Sequence, residues 1–215
     1  DVNTLLAALT FTPTLDFNSN FSIATSVSDG VAAAITGSKA MTGTPVNDAP
    51  TATNLNAAET YTEDTALNLT DIVVTDVDSP NVTATLTLSN AAAGSLNTGT
   101  SGAVTSTFVA GVWTASGALA DVNTLLAALT FTPTLDFNGN FSIATSVTDN
   151  VAPAVTGSKA MTGTPVNDAP TATNLNTAET YTEDTALNLS DIVVTDVDSP
   201  NVTATLTLSN AAAGS

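Results

Sequence analysis

A repeat of 120 residues constrains this chain more than any other feature. Residues 121–215 repeat residues 1–95 at that spacing and differ from them at seven positions. A solenoid unit of about 20–50 residues cannot bury a core alone, whereas about 120 residues suffice for a complete small domain. The chain is therefore predicted to be a string of globular units rather than a solenoid.

The segment Thr44–Pro50, which recurs as Thr164–Pro170, marks the predicted joints between units. Its two prolines stiffen the backbone, and its Asn-Asp pair favours a turn. With these joints, residues 1–48 are the C-terminal part of a preceding repeat, 49–168 form one complete repeat, and 169–215 are the N-terminal part of a following repeat. The two partial units together lack the equivalent of residues 96–120, so a longer array is favoured over a polymer of this chain.

Apolar residues alternate with threonine along Asn81–Leu88, and a similar alternation runs through Phe141–Val147. This period of two predicts half-buried β-strands. Further strands are expected near 51–55, 58–62, 66–69, 71–75, 103–109, 111–115, 129–133 and 154–163. One short helix is expected over Asp121–Leu129, with Asp121 as its N-cap. Many short Thr/Val strands between Gly, Asn and Asp turns predict an all-β fold, an antiparallel Greek-key β-sandwich repeated along an extended array.

Charge and composition argue against several classes of function. The chain has 20 acidic residues, two lysines, no histidine and no cysteine, for a formal net charge of −18. It therefore offers no imidazole base and no thiolate nucleophile, and its negative field repels nucleic acids and anionic lipids. No apolar run approaches the ~18 residues of a membrane span. We predict a protein that is not an enzyme, binds no nucleic acid and does not insert this segment into a membrane.

The acidic residues of the complete repeat are grouped at predicted strand ends and in the linker. The groups are Glu63-Asp64, Asp76-Val77-Asp78, Asp149 and Asn167-Asp168. Ca²⁺ prefers six to eight oxygen ligands, and an Asp-x-Asp turn can direct two carboxylates to one point. The grouping predicts a calcium-stiffened joint. The alternative is that these acids only keep the surface hydrated while Asp and Asn serve turns.

Two other features permit more than one interpretation. The segment Asp16–Asn20, recurring as Asp136–Asn140, has oxygen ligands at alternate positions, but it lacks the closing Glu of an EF-hand, so a hairpin turn is predicted. By strand alternation Lys159 faces the core, where an ammonium is costly unless it is paired or chemically consumed. An isopeptide bond to a neighbouring Asn or Asp is one interpretation, and a bulged strand that lets the lysine reach solvent is the other.

Three motifs occur in the order seen in a known group of repeats: Val46–Pro50, Thr62–Thr65 and Val74–Ser79. In this layout the chain resembles the cadherin-like and immunoglobulin-like tandem repeats of giant bacterial surface adhesins of the type I secreted, RTX type. The resemblance implies immunoglobulin-like or cadherin-like sandwiches and an extracellular location at the bacterial cell surface.

The resemblance also implies Ca²⁺ shared between neighbouring domains. It would place Asn47, Asp48, Asp76 and Asp78 at the first joint, and Asn167, Asp168, Asp196 and Asp198 at the second. Glu63 and Glu183 would join from the strand edge, and Asp29 and Asp149 from the preceding domain.

Together these observations predict a repetitive stalk or spacer of a large adhesin, whose partners are the neighbouring repeats of the same long chain. The alternative hypothesis is a subunit of a self-assembling extracellular fibre, sheath or surface layer, formed by lateral or end-to-end contacts. Concentration-dependent polymers would distinguish the second hypothesis from the first.

Overall fold

A computed structural model describes residues 1–214 as an all-β protein of several sheets with two short α-helices. The N-terminal part contains α1 (Val2–Ala7) and a hairpin of β1 (Phe21–Val27) with β2 (Ile35–Met41). The hairpin is antiparallel, with Phe21 opposite Met41 and Val27 opposite Ile35.

The central part, between the two linkers, contains thirteen strands and one helix. In chain order they are β3 (Thr51–Ala52), β4 (Glu59–Thr62), β5 (Leu67–Asn68), β6 (Val74–Thr75), β7 (Asn81–Leu88), β8 (Gly94–Leu96), β9 (Thr100–Ser101), β10 (Val104–Thr105), β11 (Thr107–Val109), β12 (Val112–Ala118), α2 (Leu119–Ala127), β13 (Thr130–Pro133), β14 (Phe141–Thr148) and β15 (Val155–Thr164). The short strands β8 and β9 were not among the predicted ones, because neither carries an alternating apolar pattern.

The largest sheet has the strand order β11-β12-β7-β14-β15-β4, and a second sheet has the order β5-β13-β8. Neighbours in the large sheet are antiparallel except β15 and β4, which are parallel. Two further pairs, β3 with β6 and β9 with β10, are antiparallel. The first long strand of the unit, β4, thus lies beside the last one.

One apolar core lies between the two larger sheets. Strand β7 buries every second residue, as its sequence alternation predicts, and leaves its threonines half-exposed. Trp113 of β12 is completely buried, and its indole Nε1 donates to the Asn97 carbonyl at 3.0 Å. The rings of Tyr61 and Phe131 meet edge-on at 5.2 Å and connect one sheet to the other. The core residues run from Leu55 to Met161, within the predicted 49–168 unit.

Helix α2 closes the core with Val122, Leu125 and Leu126. The prediction that Asp121 is its N-cap is wrong: the helix begins at Leu119, and Ala118 is the capping residue. The carboxylate of Asp121 instead accepts a hydrogen bond from Ser101 Oγ at 2.9 Å. The Asp121 side chain therefore binds Ser101, which is distant in sequence, instead of capping the helix.

Lys159 of β15 lies inside this unit with no exposed surface. Its ammonium Nζ donates to Glu59 Oε1 at 3.1 Å and to the Thr70 carbonyl at 3.2 Å. The pairing compensates the burial of the charge. Within residues 1–214, the side-chain partner of Lys159 is a Glu rather than the Asn or Asp that the isopeptide interpretation requires.

The C-terminal part contains β16 (Thr171–Ala172) paired with β17 (Val194–Thr195), and a 3₁₀-helix over Ala211–Ala213. Residues 201–208, which repeat the sequence of β7, have no strand conformation. Among residues 1–214, no helix is long and apolar enough to cross a membrane.

Candidate metal centre at the domain joints

Five carboxylates meet at the second joint. Oxygens of Glu63, Asp168 and Asp198 lie within 4.8 Å of one another, and so do oxygens of Asp64, Asp136 and Asp168. Asp168 belongs to both groups. The five residues come from four separate stretches of chain: the end of β4, the loop before β14, the linker and the following repeat.

Glu63 is positioned by the linker and by the loop before β14. It is 1% exposed, its Oε1 accepts from the Val166 backbone N–H, and its Oε2 accepts from Asn138 Nδ2 at 2.8 Å. Its own backbone N–H donates to the Thr164 carbonyl at 3.1 Å, which extends the β4–β15 pairing by one residue. The two hydrogen bonds to its carboxylate hold this buried side chain in place at the joint.

Asp64 and Asp136 lie in two turns that contact each other. Both residues have left-handed backbone conformations, with φ of 57° and 60°. Asp tolerates this region better than most residues because its short side chain can hydrogen-bond locally. The Asp64 carboxylate accepts from the Asp136 backbone N–H at 3.0 Å, so the turn after β4 and the loop before β14 hold each other.

The Asp-x-Asp turn of the following repeat lies against the linker. Asp196 Oδ1 accepts from the backbone N–H groups of Asp198 and Ser199 at 3.0 and 2.7 Å. Asp198 Oδ2 in turn accepts from the Asp168 backbone N–H at 2.6 Å. The turn uses one aspartate to fix its own shape and the other to hold the linker.

The negative charge of the Asp168 carboxylate is unfavourable in this joint. Burial of its carboxyl raises the pKa, and the nearby charges of Asp136, Asp198, Asp64 and Glu63 raise it further. Within residues 1–214, Asp168 Oδ2 is buried and has no hydrogen-bond partner. A buried, unpaired oxygen of this kind is unfavourable unless a cation or donor reaches it.

The first joint repeats the same turn. Asp76 Oδ1 accepts from Asp78 and Ser79 backbone N–H groups at 3.1 and 2.7 Å, and Asp78 Oδ2 accepts from the Asp48 N–H at 3.0 Å. Asp16, Asp48 and Asp78 line one open pocket of about 300 Å³. The positions equivalent to Glu63 and Asp64 fall before residue 1. As at the second joint, one oxygen here, Asp76 Oδ2, is buried without a partner among the described residues.

Asp149 lies at a different joint from the one predicted. It was expected to serve the second joint from the preceding domain, but its Oδ2 accepts from Asn47 Nδ2, in the first linker, at 2.6 Å. The antiparallel strand β14 runs away from the second joint, so its C-terminal end meets the first. Backbone N–H donation from Val151, followed by the Asn47 amide, lowers the pKa of Asp149.

The remaining predicted ligands are the two linker asparagines, Asp29 and Glu183, and none of them lies in either acidic group. Asn47 contacts Asp149 and accepts from Ser79 Oγ at 3.4 Å, whereas Asn167 Nδ2 donates to the Asp168 carbonyl. Asp29 accepts only from its own loop, from the backbone N–H groups of Ala32 and Val31, and these bonds lower its pKa. Glu183 is exposed and outside both acidic groups.

Sequence reasoning counted Asp64 among the acidic groups but did not assign it as a ligand, and it did not place Asp136 at the joint. Asp136 was interpreted as a hairpin-turn residue. No spacing rule links positions 64, 136 and 168, because the fold alone brings these turns together.

No protein-family model matches the chain, and no curated protein matches it.

Proposed function

We propose that this chain is a stretch of an extracellular stalk in which Ca²⁺ at the domain joints restricts bending between β-sandwich units. The observation that carries the proposal is the group of five carboxylates at the second joint, which the linker residue Asp168 shares between two acidic clusters. The stalk belongs to a large bacterial surface adhesin, an assignment supported by the order of the linker, Thr-Glu-Asp and Asp-x-Asp motifs.

The finer architecture is part of the same proposal. The large and small sheets pack on one core as an immunoglobulin-like or cadherin-like sandwich with Greek-key connections. Two observations support it: β7 lies between β12 and β14, which are distant in sequence, and the terminal strands β4 and β15 are parallel neighbours. Because β15 has ten residues, the sandwich is at least about 33 Å long at ~3.3 Å per residue.

The residues at the second joint fit a hard divalent cation. All five candidate side chains offer carboxylate oxygens, and Asp168 Oδ2 lacks any partner among the described residues. Oxygen-only coordination with several carboxylates is typical of Ca²⁺, whereas a softer metal would favour His or Cys ligands. When bound, the ion would compensate both the burial of the Asp168 carboxylate and the repulsion from its acidic neighbours, which together raise the pKa of Asp168.

Ion binding at these residues would restrict movement at the joint, because the residues come from both sides of it. Glu63 and Asp136 belong to the completed unit, Asp168 to the linker, and Asp198 to the following repeat. Cations held by the two acidic groups, which share Asp168, would therefore resist rotation of the linker relative to either neighbour. They also stabilise the folded state by mass action, since the unfolded chain does not assemble these residues.

The experiment is a thermal melt with X-ray scattering of the full chain in EDTA, in millimolar Ca²⁺ and in millimolar Mg²⁺. We expect Ca²⁺ to raise the melting temperature and narrow the distribution of shapes, with a much smaller effect of Mg²⁺. Asp168→Asn should raise the melting temperature in EDTA, because it removes a charge that the fold disfavours, and should abolish most of the Ca²⁺ effect.

The matched control is Asp71→Asn, which removes one negative charge from an exposed side chain outside the acidic groups. It should keep the full Ca²⁺ response. The proposal fails if Ca²⁺ changes neither stability nor shape, or if both variants lose the response equally.

A further inference from the structure

The first and last long strands of the central unit, β4 and β15, lie side by side and run in the same direction. Four residue pairs join them. After these pairs, the Glu63 N–H donates to the Thr164 carbonyl at 3.1 Å. Before them, the Ser158 N–H donates to Asn56 Oδ1 at 2.8 Å. The segment 56–63 is therefore bonded to β15 along its whole length.

Both strands also run from the first linker toward the second. The first linker lies at the C-terminal end of β14, where Asn47 donates to Asp149. The second linker lies near the N-terminal end of β14, because Val166 and Asn138 both donate to Glu63. Strand β15 is antiparallel to β14, and β4 is parallel to β15. The C-terminal ends of β4 and β15 therefore both lie at the second joint.

Tension between the two linkers loads these strands in opposite directions. The chain passes from the first linker through β3 into β4, and it leaves β15 into the second linker. Pulling the linkers apart therefore draws β4 toward the first joint and β15 toward the second. The strands must then slide lengthwise past each other, so the hydrogen bonds between them carry the load together. Strands pulled apart from one end would instead lose their bonds one at a time.

A buried ion pair strengthens this contact. Lys159 has no exposed surface, and its Nζ donates to Glu59 Oε1 at 3.1 Å. The Thr70 N–H donates to the same oxygen at 2.8 Å, and the Glu59 side chain is only 9% exposed. Sliding of β4 takes the Glu59 carboxylate away from the Thr70 N–H, and an unpaired carboxylate in the interior is costly. The calcium joint gives this ion pair no role.

Tyr61 is a second anchor on β4. Its hydroxyl donates to the Gly139 carbonyl at 2.7 Å, and the residue is 1% exposed. Its ring centroid lies 5.2 Å from that of Phe131 and 5.9 Å from that of Phe141. Because protein interiors are close-packed, β4 cannot slide without pulling this ring out of its contacts.

We propose that β4 and β15, with the Glu59–Lys159 pair and Tyr61, form a latch that keeps the central unit folded under tension along the chain, without a metal ion. The inference rests on the proposed stalk only in taking the linkers as the points where load is applied. It goes beyond that proposal, because Ca²⁺ at the joints restricts bending, whereas the latch resists extension of the unit itself.

Single-molecule pulling of the full chain at constant force, in EDTA, tests the latch. The chain has no cysteine, so two introduced cysteines define the attachment points. Ala49→Cys with Ala169→Cys applies the force from linker to linker, and both positions are exposed. Opening of the unit between them should lengthen the chain by roughly 400 Å, given the extended length of ~3.3–3.6 Å per residue.

Thr65→Cys with Ala169→Cys is the matched control for direction. Thr65 is exposed and lies just after the end of β4, so this pair pulls β4 and β15 apart from one end. At the same force, we expect the folded lifetime to be at least about tenfold longer in the linker-to-linker direction, because lifetime under force follows the unfolding barrier.

Three variants identify the residues that bear the load. Glu59→Gln with Lys159→Met removes the ion pair without leaving a buried charge, and it should shorten the linker-to-linker lifetime about tenfold. Tyr61→Phe removes only the hydroxyl bond to Gly139 and should shorten the lifetime severalfold. Val122→Ala, on the buried side of α2, is the control. It should lower stability in denaturant but keep the lifetime under force within about twofold, because α2 is still packed when the latch breaks.

Equal lifetimes in the two pulling directions overturn the latch. A lifetime that neither the double variant nor Tyr61→Phe changes also overturns it, as does one that Val122→Ala shortens as much as they do. Every measurement is made in EDTA, so failure of the latch is distinguishable from failure of the calcium joint, which is tested by the response to Ca²⁺.

Discussion

Residues 1–48 and 121–168 have nearly the same sequence but very different surroundings. In both, an antiparallel hairpin forms with the same register, and Phe21 opposite Met41 repeats Phe141 opposite Met161. Burial is what differs: Ile143 and Val147 are buried, whereas the equivalent Ile23 and Val27 are exposed. Local sequence is sufficient for the hairpin, but the core also requires the strands contributed by residues 59–118.

The other repeated half shows the opposite behaviour. Residues 81–88 form the eight-residue strand β7, and the same sequence at 201–208 forms no strand. Strand β7 is central, with β12 on one side and β14 on the other. A central strand has no local partner, so it depends on distant segments in a way that a hairpin does not.

The largest effect expected from this comparison concerns the repeated tyrosine. Tyr61→Ala should cost about 3–5 kcal/mol of unfolding free energy, because it empties a buried aromatic site. Tyr181→Ala should change it by less than ~0.5 kcal/mol, because Tyr181 is exposed. Denaturant unfolding at low protein concentration in EDTA measures both. Equal losses would show that the two sites have the same environment in solution.

The repeated lysine should give the next largest difference. Lys159→Met leaves Glu59 without its cation and should cost about 3 kcal/mol, in the range for breaking a buried pair. Lys39→Met should remain within ~0.5 kcal/mol of wild type. Adding Glu59→Gln to Lys159→Met should recover part of the loss. If the double variant is less stable than the single one, the pair does not explain the cost.

The smallest difference concerns the linker asparagines. Asn47→Ala removes a hydrogen bond to the ionised Asp149 and should cost about 1–2 kcal/mol in EDTA. Asn167→Ala should cost less, since Asn167 donates only to its neighbour's carbonyl.

The pH dependence of the Asn47 effect provides a check on its cause. The Asp149 pKa is lowered, so its bonds stabilise the fold above the ordinary carboxyl range near ~4 and lose that effect as pH falls. The difference between wild type and Asn47→Ala should therefore shrink in acid. A difference that stays constant down to acid pH would exclude the charge-assisted bond as its source.

Much of the secondary structure followed from pattern. Alternation identified β7, β14 and β15 closely, because burial on one face of a strand imposes a period of two. The isolated helix α1 begins after Asp1, whose carboxylate accepts from the Thr4 N–H at 2.9 Å, as a capping rule predicts. The same rule fails at Asp121, where Ser101 lies close enough to bind the carboxylate.

The candidate site was harder to predict from the sequence than the strands were. The linker and Asp-x-Asp motifs pointed to Asp168 and Asp198, which the structure brings together with Glu63. They did not reveal that Asp64 and Asp136 complete the group or that Asp149 lies at the other joint. Those placements depend on the direction of β14 and on the parallel pairing of β4 with β15, which no short motif encodes.

By itself, the sequence determined the repeat length, the strand periodicity and the local turns, because these depend on contacts within a few residues. Only the tertiary structure decided which acidic residues share a joint, which lysine is buried and which tyrosine packs in the core. Identical residues differ in all three respects because burial and pairing depend on segments that are distant in the chain.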